Sequence, residues 1–293
     1  MHDRESWKAA TTRTTDIDLG PLGLASRGQC YDLSSGWWHG MPMPGAHPPF
    51  GLMSFRTPQG QRVQKDMPFY GDNSVGFGFI SELMSCTTHS GTHIDALAHV
   101  TCGADPSWHG DYLVREHLGD FGPRGNDASA LPPIISRGVM LDIPGLLGVD
   151  HMAGGQGVDA DMLDQACARQ NVQIRPGDVV LLRTGTMEKW PDPDHLNLCH
   201  GAGLALDGAE WLVERGARAI GADNESLECQ PSNRAGDPQP VHRFLIREQG
   251  ISILEWVYLE DLAQDGISEF LFLCIPLPVT GATASMIRPL AIV

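Results

Sequence analysis

The sequence is poor in positive charge and contains no long hydrophobic run. Lysine and arginine together number 20, against 36 acidic residues, which gives a formal net charge of −16. A surface of this sign repels nucleic acid and anionic lipid headgroups, so neither nucleic acid nor a membrane is expected as a partner. The longest apolar stretch, residues 270–279, contains two prolines. It is far shorter than the roughly 20 residues that a membrane-spanning helix needs.

Several common catalytic motifs are also missing. The chain has no Gly-x-Ser-x-Gly elbow, no His-Glu-x-x-His pair and no P-loop. These absences argue against a serine hydrolase, a thermolysin-like protease and a P-loop ATPase. The Gly-rich segment 154–157 does not follow a clear strand, as a dinucleotide site would require, so we interpret it as a loop.

The cysteines and the first residues indicate a cytoplasmic protein. Seven cysteines are scattered along the chain without a Cys-x-x-Cys pair. An odd number at irregular spacing fits reduced thiols better than a disulfide framework. The first twenty residues are polar and charged and lack the apolar segment of a secretory signal.

What the sequence does contain is a cluster of metal-binding residue types within eleven residues. His89, His93, Asp95 and His99 are separated by four, two and four positions. A regular helix would send the first pair and the second pair to opposite sides, and a straight strand would space the donors too widely for one ion. The chain must therefore turn back on itself, which Gly91 permits. Two imidazoles and a carboxylate that leave room for water are typical of a catalytic metal site.

This cluster resembles the signature of the metal-dependent cyclase family of hydrolases, which includes bacterial kynurenine formamidases and isatin hydrolases. The residues that carry the resemblance are His89-x-Gly91-Thr92-His93-x-Asp95-x3-His99. The usual family form has proline where this chain has Leu97, a change in loop stiffness and not in a donor atom. The resemblance runs from about Tyr31 to the C-terminus, and it implies that His99 transfers the proton without being a ligand. Imidazole plus carboxylate suits zinc and manganese equally, so either ion is expected.

Two residues near the C-terminus extend the predicted site. Glu255 alternates with apolar residues in a predicted strand, 251–257, so its carboxylate shares a buried face and needs a cation or a proton. His242 lies near the apolar face of the preceding predicted helix, 240–249. Each residue alone is typical of a paired core side chain. Together they match the kynurenine formamidase pattern, in which they would complete a second metal site, with Asp95 bridging two ions.

A loop rich in proline and glycine, residues 36–50, carries four candidate pocket residues. They are Trp37, Trp38, His47 and Phe50. So many helix-breaking residues exclude a helix or a central strand. The loop is either pinned to the core by its aromatic side chains or forms a wall of an apolar substrate pocket. The family resemblance favours the pocket, because this segment lies close to the active site there.

Strands and helices alternate from residue 138 onward, which predicts an α/β protein. The predicted strands include 138–143, 178–183, 217–222, 270–275 and 286–292, and helices follow Asp159 and Ala205. The family resemblance implies a swivelling β/β/α domain with a mixed sheet and flanking helices. We predict one such domain over residues 30–293, preceded by an N-terminal arm, residues 1–29.

The motifs together favour a metal-dependent hydrolase with one or two divalent ions. The expected substrate is a small aromatic or cyclic molecule whose amide, formamide, cyclic amide or lactone bond is opened by metal-activated water, with His99 as general base. The alternatives are a metal-dependent lyase, dehydratase or cyclase, and a metal-binding protein without catalysis. The family habit and the long arm predict a homodimer or a homotetramer.

Overall fold

A nine-stranded mixed sheet forms the centre of the molecule, whose computed structural model describes residues 18–65 and 73–293. From one edge to the other, its strands are β1 (Cys30–Asp32), β17 (Leu290–Ile292), β15 (Glu269–Cys274), β9 (Ile134–Asp142), β11 (Val179–Arg183), β13 (Ala219–Ala222), β14 (Ser252–Glu255), β4 (His93–Asp95) and β16 (Ala284–Met286). The prediction of a single α/β domain with a mixed sheet and flanking helices is confirmed.

Within the described residues, eight shorter strands pair in twos outside this sheet. Three pairs are antiparallel and one is parallel. They are β2 (Gly51–Arg56) with β3 (Ser81–Ser85), β5 (Ser107–Trp108) with β6 (Tyr112–Leu113), β7 (Leu118–Gly119) with β8 (Gly122–Pro123), and the parallel pair β10 (Gly157–Val158) with β12 (Gly203–Leu204).

The helices connect and cover the strands. The α-helices are Pro58–Gln64, Val114–His117, Ile143–Leu147, Ala160–Gln170, Pro193–Cys199, Leu206–Glu214, Pro240–His242 and Glu260–Gln264. A π-helix, Arg243–Gln249, continues directly from His242, and short 3₁₀ turns occupy Gly20–Leu24, His109–Asp111 and Ala128–Ala130. None of the helices in the described ranges is long and apolar enough to cross a membrane.

The parallel centre of the sheet is buried on both faces. Along β11, Val180 and Leu182 belong to one hydrophobic cluster, while Val179 and Leu181 belong to another on the opposite face. Such uninterrupted apolar strands are typical of parallel sheets covered by helices. The helix after Asp159 packs into the first cluster, and the Asp159 carboxylate caps it by accepting from the Met162 N–H at 2.9 Å.

The antiparallel strands beside β14 bring the predicted site together. β14 pairs with β4 so that Glu255 lies directly opposite His93, and β4 pairs with β16 so that Met286 also lies opposite His93. Directly opposite residues in an antiparallel pair have Cβ atoms only about 5 Å apart. This register places Glu255 beside the histidine-rich loop, although the two are about 160 residues apart in the sequence.

The predicted strand 286–292 is wrong in one respect. The structure divides it into β16 and β17, which lie towards opposite edges of the sheet. Pro289 stands between them and has no N–H for a sheet ladder, while its carbonyl accepts from the Leu33 N–H at 3.0 Å. The break lets the chain cross from β16, which pairs with β4 beside the histidine-rich loop, to β17 near the other edge of the sheet.

The N-terminal arm is described only in part. Residues 1–17 of the predicted arm lie outside the described residues. Of the remainder, the turn Gly20–Leu24 contacts β15 and β9. The N–H groups of Arg27 and Gln29 both donate to the Val293 carbonyl, at 3.0 and 3.2 Å.

Candidate metal centre

The histidine-rich loop turns at Gly91. This residue has φ +54°, in the left-handed region that glycine adopts without strain. A Cβ at this position would also lie 2.6 Å from Ser35 Oγ and 2.9 Å from Trp37 Nε1. The turn brings the His89 and His93 rings to a centroid separation of 5.0 Å. The chain therefore folds back where the sequence required it to.

The Asp95 carboxylate lies among three imidazoles. His89 Nδ1 is 3.0 Å from Asp95 Oδ1, and His93 Nε2 is 3.5 Å from the same oxygen. His99 Nε2 is 3.9 Å from Asp95 Oδ2. Asp95 is fully buried, whereas the side chain of His99 is 26% exposed, so His99 is the member of this group that faces outward.

Glu255 and His242 reach the same cluster from far along the chain. His93 Nε2 lies 3.2 Å from Glu255 Oε2, and His242 Nε2 lies 3.3 Å from Glu255 Oε1. Both residues are buried. The structure thus brings together all six of the predicted ligand and catalytic residues.

The donor atoms form two overlapping groups. One consists of His89, Asp95 and His99, the other of His93, Asp95 and Glu255, and within each group the donors lie within 4.8 Å of one another. Asp95 belongs to both, as a residue that bridges two ions would. His99 belongs to the first group, so its Nε2 lies close enough to the other donors to bind the same ion. The family resemblance implied that His99 transfers a proton and is not a ligand.

The cluster is chemically incomplete without a cation. Neither Asp95 oxygen nor His93 Nε2 has a hydrogen-bond partner of acceptable geometry in the ranges described, although all three atoms are buried. His93 Nδ1 donates to the Gly91 carbonyl at 2.8 Å, so a neutral His93 presents the lone pair of Nε2 to the carboxylates. Buried polar atoms left in this way are costly, and a divalent ion would satisfy all three. The residues present therefore fit a metal ion.

The charges of the cluster lead to the same conclusion. Burial works against ionisation of Asp95, but the imidazoles of His99 and His89 outweigh it and hold the pKa of Asp95 well below its usual range. Burial also opposes protonation of His93, yet Glu255 and Asp95 raise the pKa of His93 to about 9. The carboxylates thus remain charged and need positive charge beside them, from protonated imidazoles or from a metal ion.

Comparison with known proteins gives the family. Residues 31–229 match the Cyclase family, which is more than half of the chain and includes the whole histidine-rich loop. The chain belongs to the Cyclase family. His242 and Glu255 lie beyond the matched residues. A search of curated proteins gave no significant match.

Solved structures similar to this Cyclase-family chain share its fold over nearly the whole length. A crystal structure described as a novel cyclase is 24% identical, covers 94% of this chain and 90% of its own, and has a TM-score of 0.79. Isatin hydrolase A from Ralstonia solanacearum is 22% identical and covers 96% and 99%, with a TM-score of 0.67. Isatin hydrolase A from Labrenzia aggregata, bound to benzyl benzoate, is 19% identical and covers 92% and 96%, with a TM-score of 0.66.

Glu228 is a residue of the candidate metal centre that the sequence did not reveal. Its fully buried carboxylate contacts His242 Nδ1. It also accepts from the backbone N–H groups of His242, at 3.0 Å, and Val241, at 3.2 Å. The contact at Nδ1 turns Nε2 towards Glu255 and, with Glu255, outweighs burial to raise the pKa of His242 to about 10. Glu228 lies in an irregular segment without periodicity, which offers no signal in the sequence.

We expect Glu228→Gln to weaken metal binding about 10- to 100-fold, because a carboxylate behind a ligating histidine fixes its orientation and increases its basicity. The measurement is competition against a chelator of known affinity. Glu214→Gln, the same change on an exposed helix position, is the control. Equal metal affinity in all three proteins would show that Glu228 does not act through His242.

The four candidate pocket residues have different surroundings. His47 stacks on His89, with ring centroids 4.9 Å apart and an interplanar angle of 10°. Trp37 and Phe50 line an apolar cavity of about 430 Å³, and Trp37 Nε1 also donates to the Ser90 carbonyl at 2.7 Å. Trp38 instead packs edge-on against Trp190, at 5.8 Å. Only His47 is in direct ring contact with the donor cluster among these four.

Proposed function

We propose that this Cyclase-family protein is a metal-dependent hydrolase that opens an amide, formamide, cyclic amide or lactone bond in a small aromatic or cyclic substrate. The observation that carries the proposal is the buried Asp95 carboxylate, which lies among imidazoles and close to Glu255. Neither of its oxygens has a hydrogen-bond partner of acceptable geometry among the described residues. The isatin hydrolases among the similar solved structures support hydrolysis of a cyclic amide as the starting hypothesis.

His89, His93, Asp95, His242 and Glu255 are the proposed ligands, and the ion is zinc or manganese. The donors are nitrogen and oxygen atoms, which suit both metals. Because Asp95 Oδ1 lies close to both His89 Nδ1 and His93 Nε2, these five ligands would accommodate one ion or two. A divalent ion bound there supplies Lewis acidity, which lowers the pKa of water towards neutrality and polarises a carbonyl.

His99 is the proposed general base. Burial, together with the neighbouring His89 and His242, lowers the pKa of His99 below its ordinary value, although Asp95 opposes the shift. A neutral imidazole at neutral pH can accept the proton of the attacking water at Nε2. The same proton can then be donated to the leaving nitrogen or oxygen as the bond opens. The outward-facing position of His99 gives substrate access to it.

Aromatic side chains around the loop would supply the substrate contacts. The His47 ring lies against His89. Trp37, which donates to the carbonyl of Ser90 beside His89, lines an apolar cavity together with Phe50. Aromatic rings favour flat apolar ligands through stacking and burial of surface. This is the reason for proposing an aromatic or cyclic substrate over a flexible polar one.

The function is tested with metal-loaded enzyme and a panel of formamides, cyclic imides, isatin-like cyclic amides and lactones. We expect hydrolysis of at least one class, loss of activity on chelation, and recovery on adding zinc or manganese. Isotopically labelled water distinguishes the alternatives, because a hydrolase incorporates one solvent oxygen and a lyase or cyclase does not. Turnover without oxygen incorporation would replace the hydrolase with a metal-dependent lyase or cyclase. Metal binding with no turnover of any substrate would favour a non-catalytic role.

We also propose a homo-oligomer, a dimer or a tetramer. The hairpin of β2 and β3 exposes large apolar side chains, among them Phe55 at 68% and Leu83 at 53%. An isolated two-stranded hairpin is marginally stable, and exposed apolar patches of this kind mark association surfaces.

We also propose a cytoplasmic location. The seven cysteines are all free, which fits a reducing compartment.

We expect Phe55→Glu to shift the protein towards monomer, because a charge buried in an apolar interface is strongly unfavourable. Light scattering coupled to size-exclusion chromatography measures the molar mass. Val149→Glu, the same kind of change at another exposed apolar residue, should leave the mass unchanged. A parent protein that is already monomeric at every concentration would contradict the oligomer.

A further inference from the structure

A second cluster of metal-binding residue types lies outside the cyclase signature, beyond the end of β11. Its members are His151, Glu188, His195 and Cys199. We propose that these four residues bind a structural zinc-class divalent ion, separate from the catalytic centre. None of them takes part in the proposed hydrolysis.

Two of the donors are presented by one short helix. His195 and Cys199 are four residues apart in Pro193–Cys199, so their side chains lie on the same face. Cys199 Sγ lies 3.6 Å from His195 Nε2. Both residues are buried, at 2% and 1% exposure. The helix thus fixes a nitrogen and a sulfur donor side by side in the interior.

The other two donors come from neighbouring loops. The Met152 N–H donates to the Thr184 carbonyl at 2.8 Å, which joins the loop carrying His151 to the end of β11. The His151 and His195 rings are 4.8 Å apart. Glu188 Oε2 lies 3.1 Å from His151 Nδ1 and 3.8 Å from His195 Nε2. Three separate segments of the chain therefore converge on one point.

The spacing matches a tetrahedral site. With bonds of about 2.1 Å to nitrogen and about 2.3 Å to sulfur, tetrahedral donors lie about 3.3–3.7 Å apart. The 3.6 Å contact falls in this range, and the contacts of 3.1 and 3.8 Å lie just outside it. The donor atoms of His151, His195 and Cys199 all lie within 4.8 Å of one another. Two imidazoles, a carboxylate and a thiolate are a donor set that suits zinc.

Access and charge are also suitable. The side chains of His151 and Glu188 are 30% and 26% exposed, so the cluster opens to solvent on one side and is closed on the other. Binding an ion would release the Cys199 thiol proton to solvent. It would also move the His195 proton from Nε2, which contacts the Gly185 carbonyl at 3.0 Å, to Nδ1, so that the imidazole stays neutral. Thiolate and carboxylate together would then neutralise the two positive charges of the ion.

An ion here would stabilise the group of aromatic side chains, Trp38, Trp190 and Trp256, that lies beside the catalytic centre. Trp190 follows Glu188 by two residues, and its Nε1 donates to the Ser35 carbonyl at 2.9 Å. The Trp190 ring also contacts Trp38 and Trp256, and Trp256 directly follows Glu255. Joining the loops and the short helix would hold these aromatic side chains in place. Four protein ligands without an open position are typical of such structural ions.

Cobalt substitution of the full chain tests the site, because a Co²⁺–thiolate bond gives a charge-transfer absorption band that imidazole and carboxylate ligands do not. We expect the band in the parent protein. In Cys199→Ser we expect the band to disappear and the metal content to fall by about one equivalent per chain. Cys167→Ser is the matched control, since Cys167 is also a buried helix cysteine but belongs to none of the clusters of possible metal-binding side chains found among the described residues. Absence of the band in the parent, or its survival in Cys199→Ser, would overturn the proposal.

Two further variants keep the test independent of folding and of the proposed function. His151→Ala changes a partly exposed residue and should weaken the band at limiting cobalt, even if Cys199→Ser does not fold. Asp95→Asn should retain the band, because the thiolate site shares no residue with the cyclase signature. If Asp95→Asn lost the band while its circular dichroism showed it to be folded like the parent, the band would depend on the cyclase signature and a separate second site would be wrong.

Discussion

Replacing Asp95 by asparagine is expected to remove the divalent metal from the centre of this Cyclase-family protein and to reduce hydrolysis to the level of the chelated enzyme. Asp95 is the one residue shared by both donor groups, and it is fully buried. An amide keeps one weaker acceptor and replaces the other oxygen by an N–H₂ donor. That donor carries no charge to attract the ion and would point its hydrogens at the metal position.

Three measurements check this expectation: elemental analysis, activity on the best substrate of the panel, and melting temperature with and without chelator. A ligand that binds only the folded state adds about 2.7 kcal/mol when it is present at about 100 times its Kd. We therefore expect chelation to lower the melting temperature of the parent and to change that of Asp95→Asn much less. Asp207→Asn, the same substitution on an exposed helix position, should behave like the parent. Equal activity in Asp95→Asn and the parent would show that Asp95 is not a ligand of the catalytic metal.

His99→Ala is expected to keep the metal and to lower kcat by about 10²- to 10⁴-fold, the usual contribution of a general acid or base. The imidazole lies beside His89, with ring centroids 4.3 Å apart, and its Nε2 is 3.9 Å from Asp95 Oδ2. This distance is longer than the 3.0 Å and 3.2 Å contacts of the other histidines with carboxylates. A side chain at the outer edge of the cluster can exchange protons with water and substrate without holding the ion.

The experiment combines metal analysis with steady-state kinetics. His39→Ala, which removes an exposed imidazole from the loop 36–50, is the matched control and should leave both quantities unchanged. Loss of metal in His99→Ala would make His99 a ligand, as its place in the first donor group allows. An unchanged kcat with full metal content would exclude His99 as the base.

The sequence could predict the donors of the histidine-rich loop because they are local. Spacing and Gly91 suffice to show that the chain must turn, and the structure has the positive φ that this turn requires. The parallel strands could also be predicted, since β11 is an unbroken run of apolar residues up to Arg183. Local composition also identified the loop 36–50 as irregular.

The pairing of strands far apart in the chain could not be predicted from the sequence in the same way. That Glu255 lies opposite His93 depends on β14 pairing antiparallel with β4, which nothing in either segment specifies. Its buried position could be predicted from alternation, but its partner came only through the family resemblance. Glu228 had neither alternation nor a motif, and its role follows solely from its contacts with His242.

Anomalous X-ray diffraction at the absorption edge of the metal, from crystals of the full chain grown with zinc or manganese, tests the metal centre most directly. We expect an anomalous peak about 2.0–2.2 Å from an oxygen of Asp95 and from ligand atoms of His93 and Glu255. Direct hydrogen bonds among these three side chains, with no anomalous peak beside Asp95, would contradict a metal centre at the cyclase signature.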